Sequence, residues 1–231
     1  MERIKYILWD IDRTLLDFEY SEKEGLNLTF EQFGYDRLDE KMLSKYKIIN
    51  DKYWEKLEKG EISKQEVLEG RFNEFFDLYG YDKSIVPRFN EEYQKNMGTV
   101  VKFLPNAKEV VTKLKESYKQ YAATNGTAVA QKKKMSTSGL DKLLDGFFIS
   151  EEMGVVKPFE EYFEKIFDAI GSHNLDEYLM IGDSLTSDIS GGVKVGIKTC
   201  WYNPNHKENN MEIIPDYEID DLYQVIRILK Q

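Results

Sequence analysis

The chain has 231 residues, of which 42 are acidic and 32 are lysine or arginine, for a net charge of −10, with 41% hydrophobic and 13% aromatic content. That much apolar material fills a substantial core and excludes general disorder, while the acidic balance excludes a broad nucleic-acid footprint, which needs clustered positive charge. No apolar stretch approaches the roughly 18 residues that span a bilayer, and the opening Met1-Glu2-Arg3-Ile4 leads into a strand without a signal-peptide apolar segment, so a cytoplasmic protein without membrane partners is expected. The single cysteine, Cys200, cannot form an internal disulfide and reads as a packed strand residue beside Trp201.

In chain order, Tyr6-Ile7-Leu8-Trp9 is an apolar run that ends in Asp10-Ile11-Asp12-Arg13-Thr14. An apolar run ending in charge predicts a buried strand whose tip reaches the sheet edge where α/β proteins bind ligands. Alternate strand residues share a face, so Asp10 and Asp12 project together, and two such carboxylates repel unless they share a cation or a proton. From about Ser21 to Met97, apolar residues recur at three- and four-residue steps, as in Leu26, Phe30 and Phe33. That period predicts amphipathic helices, and turns at Phe33-Gly34, Lys59-Gly60 and Tyr79-Gly80 divide the block into four. Beyond Phe103 the pattern alternates. A helix runs from Pro105 to Glu116, a strand over Tyr118–Thr124, a helix over Thr127–Ser138, a strand over Gly146–Ser150 and a helix over Phe159–Ile170. A strand over Tyr178–Gly182, a helix over Ser187–Val195, a strand over Thr199–Tyr202 and a helix over Asp221–Leu229 complete it.

Strands separated by helices of this length predict right-handed crossovers: an α/β fold with a Rossmann-like parallel sheet core, helices on both faces, and an inserted all-α helical cap. The core comprises residues 1–17 and 99–231, the cap 18–98, with hinges at Asp17-Phe18 and Gly98-Thr99. The one basic run, Lys132-Lys133-Lys134, reads as a solvated helix face.

Three further strand ends carry polar chemistry. Thr124-Asn125-Gly126 between strand and helix exposes backbone N–H groups that suit a phosphate, although the same residues make an ordinary capped turn. Lys157-Pro158 places a lysine before a proline-initiated helix, where it is either solvated or aimed at an anion. In Gly182-Asp183-Ser184-Leu185-Thr186-Ser187-Asp188 the two acids are helix-cap carboxylates or ligands. Their order along the chain, acid, hydroxyl, lysine and acid at four strand ends, argues for one site.

This ordered set resembles the haloacid dehalogenase superfamily along essentially the whole chain, in the subclass with a helical cap. The resemblance implies a nucleophilic Asp10 that forms an aspartyl-phosphate, and Asp12 as the acid and base serving the leaving oxygen and the attacking water. It implies phosphoryl binding by Thr124, Asn125 and Gly126, and charge compensation by Lys157. A Mg²⁺ would be held by Asp10, the Asp12 carbonyl and Asp183, with Asp188 orienting Lys157 or a water, or coordinating directly. Glycine or an acid often follows the second aspartate in this superfamily, whereas Arg13 stands here. Its guanidinium is expected to point away from Asp12, since contact would impair proton donation.

The acid at position 12 favours phosphate-ester hydrolysis over dehalogenation, because the dehalogenases lack it. Leu15-Leu16-Asp17-Phe18, Tyr46 through Trp54 with Arg71-Phe72, and Asp188-Ile189-Ser190-Gly191-Gly192 through Pro204 are similar to the pyrimidine 5′-nucleotidase branch. That similarity implies hydrolysis of pyrimidine nucleoside monophosphates; as to assembly, a monomer or homodimer is expected. Asn50 and Trp54 share a helix face, which would let Trp54 stack on a base and Asn50 hydrogen-bond it, unless Trp54 belongs to the cap core. A phosphatase for small sugar or organic phosphates and a catalytically silent phosphate-binding protein are the rival readings. His173 and His206 are expected at the surface.

Overall fold

The structure, a computed structural model, describes residues 4–230. Met1–Arg3, read above as the approach to the first strand, and Gln231 lie outside the described residues. In chain order the elements are β1 (Tyr6–Trp9), α1 (Phe18–Gln32), α2 (Glu40–Glu58), α3 (Lys64–Tyr79), α4 (Val86–Thr99), α5 (Ala107–Leu114), β2 (Lys119–Thr124), α6 (Ala128–Ser138) and β3 (Gly146–Ile149). They continue with α7 (Ser150–Met153), α8 (Glu160–Ile170), β4 (Tyr178–Gly182), α9 (Ser190–Val195), β5 (Lys198–Tyr202), β6 (Tyr217–Ile219) and α10 (Tyr223–Ile228).

The six strands form one parallel sheet in the order β3-β2-β1-β4-β5-β6. The chain leaves β1 toward β2 and β3 on one side, then returns to β4 on the other, so the topology switches direction between β1 and β4. Open α/β sheets bind ligands outside the carboxyl ends of the strands at such a point. Register brings those ends level: Trp9 lies opposite Ala122 and Ile181, so Asp10, Thr124 and Asp183 emerge at one rim. Both sheet faces are covered. Ile7, Trp9, Ala122 and Ile181 pack with Val110, Val111 and Met135 on one side, and Leu8, Ala123 and Met180 pack with Tyr162, Phe163 and Ile166 on the other. Continuous apolar strands are what burial on both faces demands.

The inserted helices pack around a second cluster that includes Phe30, Tyr46, Phe72, Phe75, Phe76, Phe89 and Tyr93. Three of the four helix starts carry a side-chain cap. Asp17 accepts from Tyr20 N, Asp39 from Met42 N, and Ser63 with Glu66 forms a capping box. Helix ends fall at the expected turns. Ala130 of α6 joins the aromatic cluster, and α4 packs along α6, so this layer rests on the sheet unit beside the rim.

Three expectations need correction, and one strand was unforeseen. Lys132 and Lys133 are exposed, but Lys134 is fully buried, because the helix turns it inward onto Asp12. Pro158 does not start a helix: Lys157-Pro158 is a cis peptide in a turn closed by Phe159 N to Val156 O at 3.0 Å, and α8 begins at Glu160. The helix expected over Ser187–Val195 splits into a wide turn over Leu185–Ile189 and α9, because Ser184 caps the turn through Ser187 N. The edge strand β6 was not predicted, since three residues give no period to read.

Candidate active site

Asp10 continues the β1–β4 ladder, its N–H donating to Ile181 O at 2.9 Å, which fixes where its side chain leaves the sheet. Its Oδ1 accepts from Lys157 Nζ at 2.8 Å and its Oδ2 from Thr14 Oγ1 at 3.2 Å. Lys157 is buried and spends all three protons, on Asp10, on Asp188 Oδ1 at 2.6 Å and on Ala123 O at 2.6 Å. Asp188 Oδ2 accepts from Ser184 N at 3.1 Å. Gly182 permits this, because a Cβ there would lie 2.1 Å from that oxygen. Asp10, Asp183 and Asp188 each offer an oxygen within 4.8 Å of the others. Among the described residues the Asp183 carboxylate accepts no hydrogen bond, although Trp201 Nε1 fixes its backbone carbonyl at 3.0 Å.

Three carboxylates and one ammonium leave this cluster under-neutralised. Burial is the largest influence on Asp10 and pushes it up to about 7, with Lys157 opposing and Asp188 adding. Burial, then Asp10 and Asp188, hold Asp183 well above the usual carboxylate range. Burial also raises Asp188 against the pull of Lys157. Burial alone would lower the Lys157 ammonium, but Asp10 and Asp188 outweigh it and push it upward. A hard divalent cation would relieve this repulsion, and an all-oxygen donor set is what Mg²⁺ takes. The residues present fit the ion.

Asp12 is separate. Its Oδ1 accepts from Lys134 Nζ and its Oδ2 from Gln131 Nε2 at 2.7 Å, and its side chain is not one of the clustered ligand groups. Gly126 permits the Gln131 contact, since a Cβ there would sit 2.2 Å from Nε2. Arg13, at φ 69°, sends its guanidinium the other way, to Glu19 at 2.7 Å and Asp51 at 3.4 Å, 4.4 Å above the Phe18 ring. The cation at Asp12 is therefore Lys134.

In the loop after β2, Thr124 Oγ1 accepts from Gly126 N at 3.2 Å. The Asn125 side chain clasps the Lys157 backbone in both directions, donating to its carbonyl at 2.9 Å and accepting from its N–H at 2.8 Å. This clasp links two chain-distant motifs and aims the Lys157 side chain inward.

These groups line one cavity of about 500 Å³ between the rim and α2, within the range of small-molecule sites. Asn50, Asp51, Trp54, Glu55 and Glu58 complete its far wall. Trp54 is half-buried there, but Asn50 is 1% exposed, its oxygen accepting from Trp54 Nε1 at 3.1 Å and Arg71 at 2.7 Å while its nitrogen donates to Glu22. Asn50, which lines the cavity, anchors Trp54. Thr186 donates to Glu58 at 2.7 Å, a further tie between α2 and the acidic loop. His173 and His206 are exposed and take no part. Lys134, Gln131 and Glu58 escaped the sequence reading because each acts through a tertiary contact and belongs to no motif.

The family model for haloacid dehalogenase-like hydrolases matches residues 7–202. The chain belongs to that family. It is 37% identical over 216 residues to the pyrimidine 5′-nucleotidase PynA of Streptococcus pneumoniae (strain ATCC BAA-255 / R6), covering 93% of this chain and 90% of PynA. It is 28% identical to the pyrimidine 5′-nucleotidase YjjG of Escherichia coli (strain K12), covering 97% of both chains. YfnB of Bacillus subtilis (strain 168), named a HAD-hydrolase, is 36% identical, covering 99% of this chain and 97% of YfnB. A crystal structure of YfnB bound to magnesium superposes with a TM-score of 0.92 over the whole of both chains. Among the described residues no helix is long and apolar enough to cross a membrane.

Proposed function

We propose that this member of the haloacid dehalogenase-like hydrolases is a Mg²⁺-dependent phosphomonoesterase of the cytoplasm, working through an aspartyl-phosphate, whose substrates are pyrimidine nucleoside 5′-monophosphates. Residues 18–98 are its cap. The observation that carries the reaction type is the pairing of a buried, lysine-held carboxylate, Asp10, with a second, separately held carboxylate, Asp12, at one pocket. The magnesium of the YfnB crystal structure supports the choice of ion, and likeness to PynA and YjjG over nearly the whole chain supports the choice of substrate.

An Asp10 oxygen attacks phosphorus as the P–O bond to the leaving alkoxide breaks, and Asp12 supplies the proton that the alkoxide needs. Water then attacks the same phosphorus, Asp12 takes its proton, and the P–O bond to Asp10 breaks to release phosphate. Thr14 and Lys157 hold the two Asp10 oxygens, and Lys134 with Gln131 holds both oxygens of ionised Asp12, the form that takes the proton from water; to carry a proton to the alkoxide, Asp12 must release one of these two donors. Thr124 and the N–H groups of Asn125 and Gly126 hold the phosphoryl oxygens. Asp10 and Asp183, with the Asp12 carbonyl, would hold Mg²⁺, which supplies positive charge against the phosphoryl oxygens when bound. Asp188 keeps Lys157 in place through Oδ1, beside the same acidic cluster.

The test is a substrate panel at fixed Mg²⁺ with dUMP, UMP and sugar phosphates. A kcat/KM for pyrimidine nucleotides well above that for sugar phosphates is expected. The reverse order would assign the small-phosphate reading, and no phosphate release from any ester would assign the silent one.

A further inference from the structure

We propose that Lys64, from the first turn of α3, is a positioning residue for the phosphate loop: it sets the direction of the Asn125–Gly126 peptide, whose N–H end faces the substrate phosphate, and braces the peptide that follows it. This rests on reading Thr124–Gly126 as that loop. Lys64 Nζ donates to Asn125 O at 2.6 Å, to Gly126 O at 2.7 Å and to Ser150 Oγ at 2.9 Å, so all three of its protons are spent. In a planar trans peptide the C=O and N–H bonds point in opposite directions. The Asn125 carbonyl shares its peptide with Gly126 N, and the Gly126 carbonyl shares its peptide with Thr127 N. Drawing both carbonyls toward Lys64 therefore turns both N–H groups away from it, and Gly126 N indeed points at Thr124 Oγ1. A cation at the carbonyl end also polarises each peptide and strengthens the N–H as a donor.

The placement of Lys64 is specific. The capping box of Ser63 and Glu66 starts α3 one residue before it, which aims the side chain back toward the sheet rim. Its Nζ also sits 5.7 Å from the centre of the ring of Trp54, a residue that lines the cavity. Desolvation lowers this ammonium to about 8, a penalty that a surface lysine would avoid by turning to water. The neighbouring charges are Glu151, which opposes the lowering, and Arg71, which adds to it. A second inserted helix holds the same loop, since Gln94 of α4 accepts from Thr127 Oγ1 at 2.7 Å. Asn125 passes the constraint on through its clasp of the Lys157 backbone. The seat of the helical layer thus reaches the phosphate-binding peptides and the lysine that grips Asp10.

Lys64→Met and Lys64→Arg test this with dUMP, with p-nitrophenyl phosphate, and with inorganic phosphate binding measured by calorimetry in Mg²⁺. Lys64→Met should lower kcat for both esters by the same factor, roughly ten- to a hundredfold, the cost expected of a misplaced oxyanion donor. It should weaken inorganic phosphate binding and leave the ratio of the two KM values unchanged. Lys64→Arg should recover most of the loss. The proposal is overturned by a kcat and a phosphate affinity within twofold of wild type in Lys64→Met, by a loss confined to dUMP, or by failure of Lys64→Arg to recover activity at unchanged Tm. If the wild-type protein hydrolyses neither ester, the phosphatase reading fails by itself. Lys64 is then judged on phosphate affinity alone.

Discussion

The rim of the sheet and the interior of the helical layer each bury a carboxyl that is pushed up to about 7. At the rim it is Asp10, in the helices Glu22, and for both the largest cause is burial. Their surroundings differ. Asp10 faces a cavity in the company of Asp183 and Asp188, with a lysine on one oxygen and a hydroxyl on the other. Glu22 is enclosed and meets the neutral amide of Asn50 at 2.9 Å, with Arg13, Lys47 and Arg71 partly offsetting its charge. Equal perturbation therefore does not mean equal function. A raised carboxyl marks a reactive centre only when a cavity and a second charged group face it.

Turnover should break the pair apart most strongly. Asp10→Asn removes the nucleophile and should cut kcat by at least about a thousandfold, whereas Glu22→Gln should stay within about threefold of wild type. Similar losses in steady-state assays would erase the distinction.

Metal binding should separate them next. Saturating Mg²⁺ at pH 8 should raise Tm by about 5–10 °C, from mass action on the folded state. Asp183→Asn should abolish most of that rise, and Glu22→Gln should leave it intact, as read by thermal melts with and without chelator.

A smaller effect concerns pH. Glu22 binds its proton more tightly in the folded chain than at its ordinary value of 4.5. The stability it contributes is complete below about pH 4.5 and is lost as the pH rises through about 7. Glu22→Gln should flatten that decline by about 3–6 °C of Tm, measured in chelator so that the rim carboxylates see no metal. An unchanged pH profile would show that Glu22 is not held in this state.

The smallest effect sharpens the role of the cavity wall. Trp54→Ala should raise KM for dUMP about tenfold, as loss of a base stack would, and leave p-nitrophenyl phosphate nearly unaffected. Equal effects on both substrates would make Trp54 a packing residue.

Much of the fold was legible. Apolar runs place β1 to β5, a period of three to four residues places the four inserted helices, and a parallel sheet follows from the alternation of strand and helix. Three of the polar segments were legible as strand ends because each closes an apolar run; Lys157, expected at a fourth, instead follows α7 in the turn before α8. Partnership was not. Lys134 looked like the end of a solvated run, yet it is the cation at Asp12, because helical periodicity turns one lysine of three inward. The anchoring of Trp54 by Asn50 was not legible either, because Arg71 and Glu22, 21 and 28 residues away, meet Asn50 only in the folded chain.

The amino-acid order by itself determined the sheet, the inserted helical layer and the four loops that carry chemistry, since these follow from local periodicity and strand-end composition. Which cation serves which carboxylate was decided only by tertiary packing. Arg13 turns to Glu19 and Asp51, Lys134 to Asp12, Lys157 to Asp10 and Asp188, and Lys64 to the peptides of the phosphate loop. The reason is physical: charge pairing depends on distances of a few ångströms between groups up to 147 residues apart, and no local pattern encodes those distances.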